Sequence, residues 1–345
     1  MNASSDRPLF LNSGCVPMRL SLAFLACAYF GFSAVPAFAA TCGSVSFGGD
    51  FAGSYSCSSL GTPTGVTGQL GGVTFLDNNT LLIGGNANTA QGYIASIDVV
   101  RGADGHITGF GAPSAFYAAA PQIDGGLTFG PGGVLFATGY PTNTLLQYKP
   151  GSTAPDKIIS LGGAGGVGGT VGTLQFVPQG FDGAGNLKIA SYSTGQFYTA
   201  TLTADGSGLY TVGAVTLSGQ LSGGPEGLVY VDGGNAGFGV DSLLVSEYSA
   251  GKVGTYTLDA NGNPIAGTRR DFITGLNGAE GAVIDPLTGD FLFSTFGSGN
   301  GLFVISGFTA PPAAVPEPAT WAMMIAGFGL VGGTLRRRHG TLATA

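Results

Sequence analysis

A unit of two hydrophobic runs joined by a tight turn recurs along the middle of this chain, and that repetition limits the fold more than any other feature. It reads GGVTFLDNNTLLIGG (71–85), GGLTFGPGGVLFATG (125–139), QGFDGAGNLKIAS (179–191), EGLVYVDGG…DSLLVSEY (226–248) and EGAVIDPLTGDFLFSTF (280–296). The starts at 71, 125, 179, 226 and 280 are 54, 54, 47 and 54 residues apart. A second strand-turn-strand pattern follows each of the first four units, at 96–110, 145–161, 199–213 and 254–268. Asp104-Gly105, Asp205-Gly206 and Asn261-Gly262 mark hairpin turns there, because Gly and Asn tolerate positive φ.

Two hairpins per repeat give four strands in about 50 residues, the size of a propeller blade. A blade cannot bury both its faces alone, so the copies must stack around a ring. The repetition predicts an all-β fold, a β-propeller of about five four-stranded blades over residues 40–309. Six or seven blades would follow if the N-terminal piece were larger than it looks. The fifth unit runs out near Phe308 after about three strands, and residues 44–56 precede the first unit without a partner. That segment is expected to supply the missing outer strand and close the ring. QGFD is short for an inner strand, so GTLQFV (172–177) is the alternative first strand of the third unit. Composition agrees: 44% of residues are hydrophobic, only 9% are charged and 64 of 345 are Gly. A charged helical protein or a charge-rich disordered chain has a different mix.

The two ends read differently from the middle. In residues 1–39, Arg19 precedes the apolar run Leu20 to Phe32, and Ala37-Phe38-Ala39 has the small-x-small form of a signal peptidase site. A secretory signal helix cleaved after Ala39 is expected, with Met18 as an alternative start. Residues 310–316 form a Pro/Ala linker, too polar and stiff to pack a core. Residues 317–345 follow as a polar knot, an apolar stretch and a basic stop. Ala319 to Leu335 spans 17 residues, the lower limit for a membrane helix. Trp321 suits the interface, and Arg336, Arg337 and Arg338 favour the cytoplasmic side, which leaves the preceding chain outside the inner membrane.

The run Pro316-Glu317-Pro318-Ala319-Thr320-Trp321-Ala322, with its apolar span and arginine cluster, closely resembles the PEP-CTERM sorting signal in its Pro-Glu-Pro-x-x-Trp-Ala form. The resemblance implies recognition by an exosortase, a membrane cysteine transpeptidase-like enzyme, and cleavage near Pro316-Glu317-Pro318. It also implies a transient inner-membrane intermediate in a Gram-negative host, then delivery to the cell surface or the extracellular polysaccharide matrix of a biofilm.

Charge and cysteine count narrow the partners. Taking away both ends removes two of the 19 acids and five of the 12 bases, so the middle carries a net charge of −10. Nucleic acid is no partner for such a surface, whereas cations and neutral or cationic ligands are. Cys15 and Cys27 leave with the signal. Cys42 and Cys57 remain as an even pair in an oxidising compartment, and a disulfide between them is expected.

Only two histidines are encoded, His106 and His339, and His339 lies in the tail. A multi-His zinc site is therefore excluded, and a Ser-His-Asp triad would depend on His106. His106 follows Asp104-Gly105 at a hairpin tip, where it is expected to be exposed and idle. Residues 162–172 (GGAGGVGGTVG) lack the Lys-Ser/Thr and the helix of a phosphate loop and read as a flexible inter-blade loop.

Glu226 and Glu280 hold matching places just before the inner strands of adjacent repeats, and Asp124 is displaced from that place by one residue. In a ring these positions face the mouth of the central channel. Converging carboxylates repel one another unless a cation neutralises them or their pKa values rise. Calcium suits such an oxygen cage. The alternative is that Glu226 and Glu280 bond backbone amides and pin neighbouring blades. Asp182, Asp285 and Asp290 read as turn caps. Tyr192, Tyr198, Tyr248 and Phe296 either pack between blades or stack on sugar rings.

The Glu-Gly-apolar strand entry and the turns Asp182 to Asn186 and Asp285 to Asp290 also resemble NHL and gluconolactonase-like β-propellers. That resemblance implies a calcium-dependent lactonase-like hydrolase as the alternative to a non-catalytic binding or scaffold protein. The group's catalytic asparagine and aspartate ligands have no counterpart that can be placed in this sequence.

Overall fold

A computed structural model describes residues 40–310 except Ser298. The signal segment with Ala39, the linker beyond Ala310 and the sorting segment with Pro316, Glu317, Pro318, Trp321 and Arg336 to Arg338 lie outside the described residues. Among the described residues no helix is long and apolar enough to cross a membrane.

Three short strands open the ring: β1 (Ala40–Thr41), β2 (Ser46–Phe47) and β3 (Ser56–Gly61). Blade I holds β4 (Val73–Asp77), β5 (Thr80–Gly85), β6 (Tyr93–Arg101) and an outer strand broken into β7 (Ile107–Phe110) and β8 (Ala115–Ala119). Blade II holds β9 (Ile123–Phe129), β10 (Leu135–Gly139), β11 (Thr144–Tyr148) and β12 (Lys157–Ser160). Blade III holds β13 (Val171–Phe176), β14 (Leu187–Ser191), β15 (Gln196–Ala204) and β16 (Tyr210–Gln220). Blade IV holds β17 (Pro225–Val231), β18 (Ser242–Glu247), β19 (Lys252–Thr257) and β20 (Arg270–Thr274). Blade V holds β21 (Ala279–Ile284), β22 (Phe291–Thr295) and β23 (Gly301–Ser306). The protein is a five-bladed β-propeller with antiparallel, four-stranded blades.

Hydrophobic alternation explains why the blades stack. In β5, Leu81 and Ile83 face blade V while Leu82 faces blade II, and all three are fully buried. Both faces of the sheet are thus apolar. Five hydrophobic clusters result, one at each blade interface, including the interface between blades V and I. The cluster between blades IV and V is the most aromatic, with Phe51, Tyr55, Phe238, Phe272 and Phe308 in mutual ring contact.

Ring closure differs in detail from the sequence expectation. Residues 44–56 do not form one closing strand. β3, which begins at the end of that segment, pairs with β23 and becomes the outer strand of blade V. β2 instead extends the edge of blade IV through β20. Phe51 and Tyr55 lie between these strands and are drawn into the cluster of blades IV and V, which separates the two pairings. The Cys42–Cys57 disulfide is present, with Cα atoms 5.6 Å apart.

Two outer elements also move. β13 is the inner strand of blade III, the alternative reading, and QGFD belongs to the turn after it. In blade IV the outer strand is β20, not the segment after Asn261-Gly262. Asp259 accepts backbone hydrogen bonds from Asn261 and Asn263, both 2.8 Å, and folds that segment into a turn.

Strand direction fixes the two faces of the ring. Each inner strand runs away from the face where the loops at 86–92, 140–143, 192–195, 248–251 and 296–300 gather. The inner-hairpin turns and the chain exit lie on the opposite face. There Asn235 Oδ1 accepts hydrogen bonds from the Thr309 amide (2.8 Å) and hydroxyl (3.1 Å).

Candidate functional site

Four of the five inner strands begin with a β-bulge, and three of these bulges carry a carboxylate. In blade IV, Glu226 is the extra residue between the pairs Pro225–Glu247 and Gly227–Ser246. In blade V, Glu280 and Gly281 stand against Ser294 alone. In blade II, Asp124, Gly125 and Gly126 stand against Thr138 alone. The longer bulge absorbs the one-residue displacement of Asp124 in the sequence. Bulges re-aim side chains, and here Asp124, Glu226 and Glu280 come together. Their ligand oxygens all lie within 4.8 Å of one another. In blade III the extra residue is Gly172, which has no side chain to offer, and blade I enters its inner strand through Gly71 and Gly72.

Glycine permits the convergence. A Cβ on Gly125 would overlap the Glu226 carbonyl, and one on Gly227 would overlap the Glu280 carbonyl. Hydroxyls then rivet the inner strands. Thr138 Oγ1 accepts from the Gly126 amide (2.9 Å) and donates to the Gly172 carbonyl (2.8 Å). Ser294 Oγ donates to the Gly71 carbonyl at 2.6 Å.

The three acids are almost wholly buried, at 1%, 4% and 1% exposure for Asp124, Glu226 and Glu280. One oxygen of each, Asp124 Oδ2, Glu226 Oε2 and Glu280 Oε1, has no hydrogen-bond partner. Burial pushes all three carboxyls well above the usual carboxylate range, and the neighbouring Asp124 charge pushes Glu226 and Glu280 further. The Gly125 amide does reach the Glu226 carboxylate, so a backbone contact of the kind that would pin neighbouring blades stands beside these free oxygens.

Among the described residues no Lys, Arg or His is paired with any of the three acids. Isolated charges in such a site are costly, so it calls for protons or a cation. The donors are hard oxygens without nitrogen or sulfur, which fit calcium rather than zinc or copper. Asn88 adds a fourth group. Its amide reaches 3.0 Å from Asp124 Oδ1 and 3.2 Å from the Ile123 carbonyl. With nitrogen turned inward it donates to both; with oxygen inward it adds an oxygen to a cation's shell.

Above the acids lies a cavity of about 260 Å³. Glu226, Glu280 and Asn88 form its floor, and Tyr140, Tyr192, Tyr248 and Phe296 form its wall. Each aromatic residue immediately follows the second strand of its blade: Tyr140 after β10, Tyr192 after β14, Tyr248 after β18 and Phe296 after β22. Neighbouring rings meet with centroids 6.0, 6.0 and 5.9 Å apart, at interplanar angles of 81°, 75° and 74°. Burial, then the charge of Glu280, raises the Tyr248 phenol pKa. Of the aromatics singled out in the sequence, Tyr198 is not in this wall. It is buried between blades II and III, its hydroxyl accepting from the Gly168 amide at 2.9 Å.

His106 is also placed differently from its expected idle exposure. Its Nδ1 lies 2.6 Å from Asp290 Oδ2, joining blade I to blade V on the face opposite the mouth. Asp285, fully buried beside it, is more than a turn cap. It caps the Leu287 amide (2.9 Å) and holds Arg101 through two oxygens at 2.6 and 3.1 Å.

The family model for the PEP-CTERM protein-sorting motif matches residues 314–338. The tail is a PEP-CTERM sorting motif. The chain is thus an exported, exosortase-sorted protein bound for the cell surface, with a β-propeller as its folded part. Comparison with curated proteins gives no match.

Similar solved structures include the PQQ domain of a pyranose dehydrogenase from Coprinopsis cinerea, 13% identical, covering 76% of this chain and 97% of that one, with a TM-score of 0.44. A luciferin-regenerating enzyme is 10% identical over 75% and 98% of the two chains, with a TM-score of 0.45. A gluconolactonase from Xanthomonas campestris is 11% identical over 74% and 90%, with a TM-score of 0.39. What the mouth of this propeller can bind is set by its own side chains.

Proposed function

We propose that this PEP-CTERM protein is a non-catalytic binding protein of the cell surface or extracellular matrix, and that it holds a calcium ion at the mouth of its ring. The observation that carries the reading is the set of three buried, converging carboxylates, each with one oxygen left without a partner, under an aromatic-walled cavity. Asp124, Glu226 and Glu280 would hold the ion, with the Asn88 amide oxygen as a fourth protein ligand. A bound divalent cation supplies fixed positive charge and open coordination positions facing the cavity. Extracellular polysaccharide is the matrix partner that the sorting class implies, and the chain exit opposite the mouth leaves the cavity free to meet it.

A lactonase-like hydrolase has one observation in its favour, the raised carboxyl pKa values in a cavity. His106 cannot serve it as a proton-transfer group at the mouth, because it is held by Asp290 on the far face. The experiment is thermal unfolding of the purified exported protein with and without calcium, beside the Glu226→Ala, Glu280→Ala double variant. Calcium is expected to raise the melting temperature of the wild type and not of the variant. An equal response in both proteins, or none in either, would sink the site.

A further inference from the structure

The carboxylate floor and the aromatic wall are separate features of the sequence, yet the fold stacks one on the other. We infer that the wall binds an organic ammonium group above the floor, an inference that rests on reading the mouth as the ligand site.

The first argument is the geometry of the rings. Four of the five blades place an aromatic side chain directly after the second strand, and adjacent rings are 5.9–6.0 Å apart. Their interplanar angles of 74–81° are near the ~72° rotation between neighbours in a five-bladed ring. Adjacent rings thus stand nearly perpendicular, like adjoining walls of a box. Rings spaced 5.9–6.0 Å apart on a five-fold circle have centroids about 5 Å from its axis, within the ~6 Å reach of a cation–π contact. A single cation on the axis of such a circle would lie within that distance of all four centroids. Blade I leaves a gap in the wall, where Asn88 stands.

The second argument is charge. With a divalent ion bound, three ionised carboxylates would leave a net charge of −1 beneath the rings, and among the described residues no Lys, Arg or His lines the cavity. The field of the acids reaches the wall, since Glu280, Glu226 and Asp124 all raise the Tyr248 phenol pKa, after burial. An anionic ligand would meet repulsion there without a compensating cation. A neutral sugar would gain stacking alone. An ammonium group gains both the ring faces and the residual charge. The cavity of about 260 Å³ admits one small headgroup and not an extended chain. The ammonium of an amino sugar and that of a quaternary headgroup share this chemistry.

The test is calorimetric titration of the calcium-saturated exported protein with four probes. Tetramethylammonium and glucosamine are expected to bind, and their relative strength tells a quaternary headgroup from an amino sugar. The neutral tert-butanol is expected to bind about ten-fold more weakly than tetramethylammonium, and acetate not at all. Tyr192→Leu and Tyr248→Leu should each weaken tetramethylammonium by about ten-fold while calcium binding stays unchanged. If either variant fails to fold, the probe series on the wild type still decides. Equal binding of tert-butanol and tetramethylammonium, or binding of acetate, overturns the inference, as does no binding of either ammonium probe. In each of those outcomes, calcium binding that depends on Glu226 and Glu280 would leave the proposed floor intact.

Discussion

The two faces of this ring use buried acids in opposite ways. On the face opposite the mouth, buried acidic and basic groups have partners across a blade boundary. Arg101 of blade I holds Asp285 of blade V, and His106 holds Asp290. Lys188 of blade III donates to the Asn261 carbonyl (2.9 Å) and to Asn263 Oδ1 (2.6 Å) of blade IV, and burial lowers its pKa to about 8. At the mouth, Asp124, Glu226 and Glu280 also come from separate blades, but among the described residues no basic side chain is paired with them. Glu247, one residue before Tyr248, sharpens the contrast: it is fully buried and paired with Arg269. Where this chain uses an acid as a fastener it encodes the partner; at the mouth the partner must come from outside.

The comparison is broken most directly on the paired face. Arg101→Ala leaves Asp285 buried without its cation, and denaturant unfolding should show a loss of about 3–5 kcal/mol. A loss below about 1 kcal/mol would mean that Asp285 is not a charged fastener.

The mouth should respond with the opposite sign. In calcium-free buffer at neutral pH, the Glu226→Gln, Glu280→Gln double variant replaces two buried acids with neutral amides that can donate to Asp124. It should be more stable than the wild type by about 1–4 kcal/mol in the same unfolding measurement. The same variant in calcium should show no further gain. Destabilisation without calcium would place these glutamates among the fasteners and erase the difference between the faces.

The smallest effect concerns His106. Its hydrogen bond to Asp290 raises its pKa above 6.5, so the stabilisation from protonated His106 is complete below pH 6.5 and fades as pH rises through the folded value. Burial raises the Asp290 pKa as well, and that contribution also declines with rising pH. His106 is 36% exposed, so solvent screening limits its share to about 1 kcal/mol or less. The melting temperatures of His106→Gln and the wild type should differ at pH 6 and converge as pH rises. A gap that widens above pH 6.5 would contradict the pairing.

The same contrast explains what the sequence disclosed. Blade number and strand pairing were legible because unbroken apolar runs such as Leu81-Leu82-Ile83 report sheets buried on both faces. Glu226 and Glu280 were legible because Glu-Gly-apolar repeats at the same place in adjacent units. Asp124 looked misaligned because its bulge is longer than theirs. His106 looked idle because its partner lies 184 residues away, across the junction that closes the ring. Tyr140 and Asn88 escaped notice because they become neighbours of the acids only when five blades close. A signal existed for Tyr140. It follows the second strand of its unit, as do Tyr192, Tyr248 and Phe296 in theirs. No such regularity marks Asn88.

The outer strands were least legible. β20 lies on the rim, where the turn led by Asp259 decides which segment continues the sheet. β2 and β3 part because Phe51 and Tyr55 are pulled inward between them.

Calorimetric titration of the exported protein with calcium tests the difference between the faces at its source. The predicted isotherm has one site per chain, and it disappears in the Glu226→Gln, Glu280→Gln variant. A wild type that releases no binding heat and shows no competition with terbium, or a variant that binds calcium as well as the wild type, would contradict the reading of these three carboxylates as a cation's ligands.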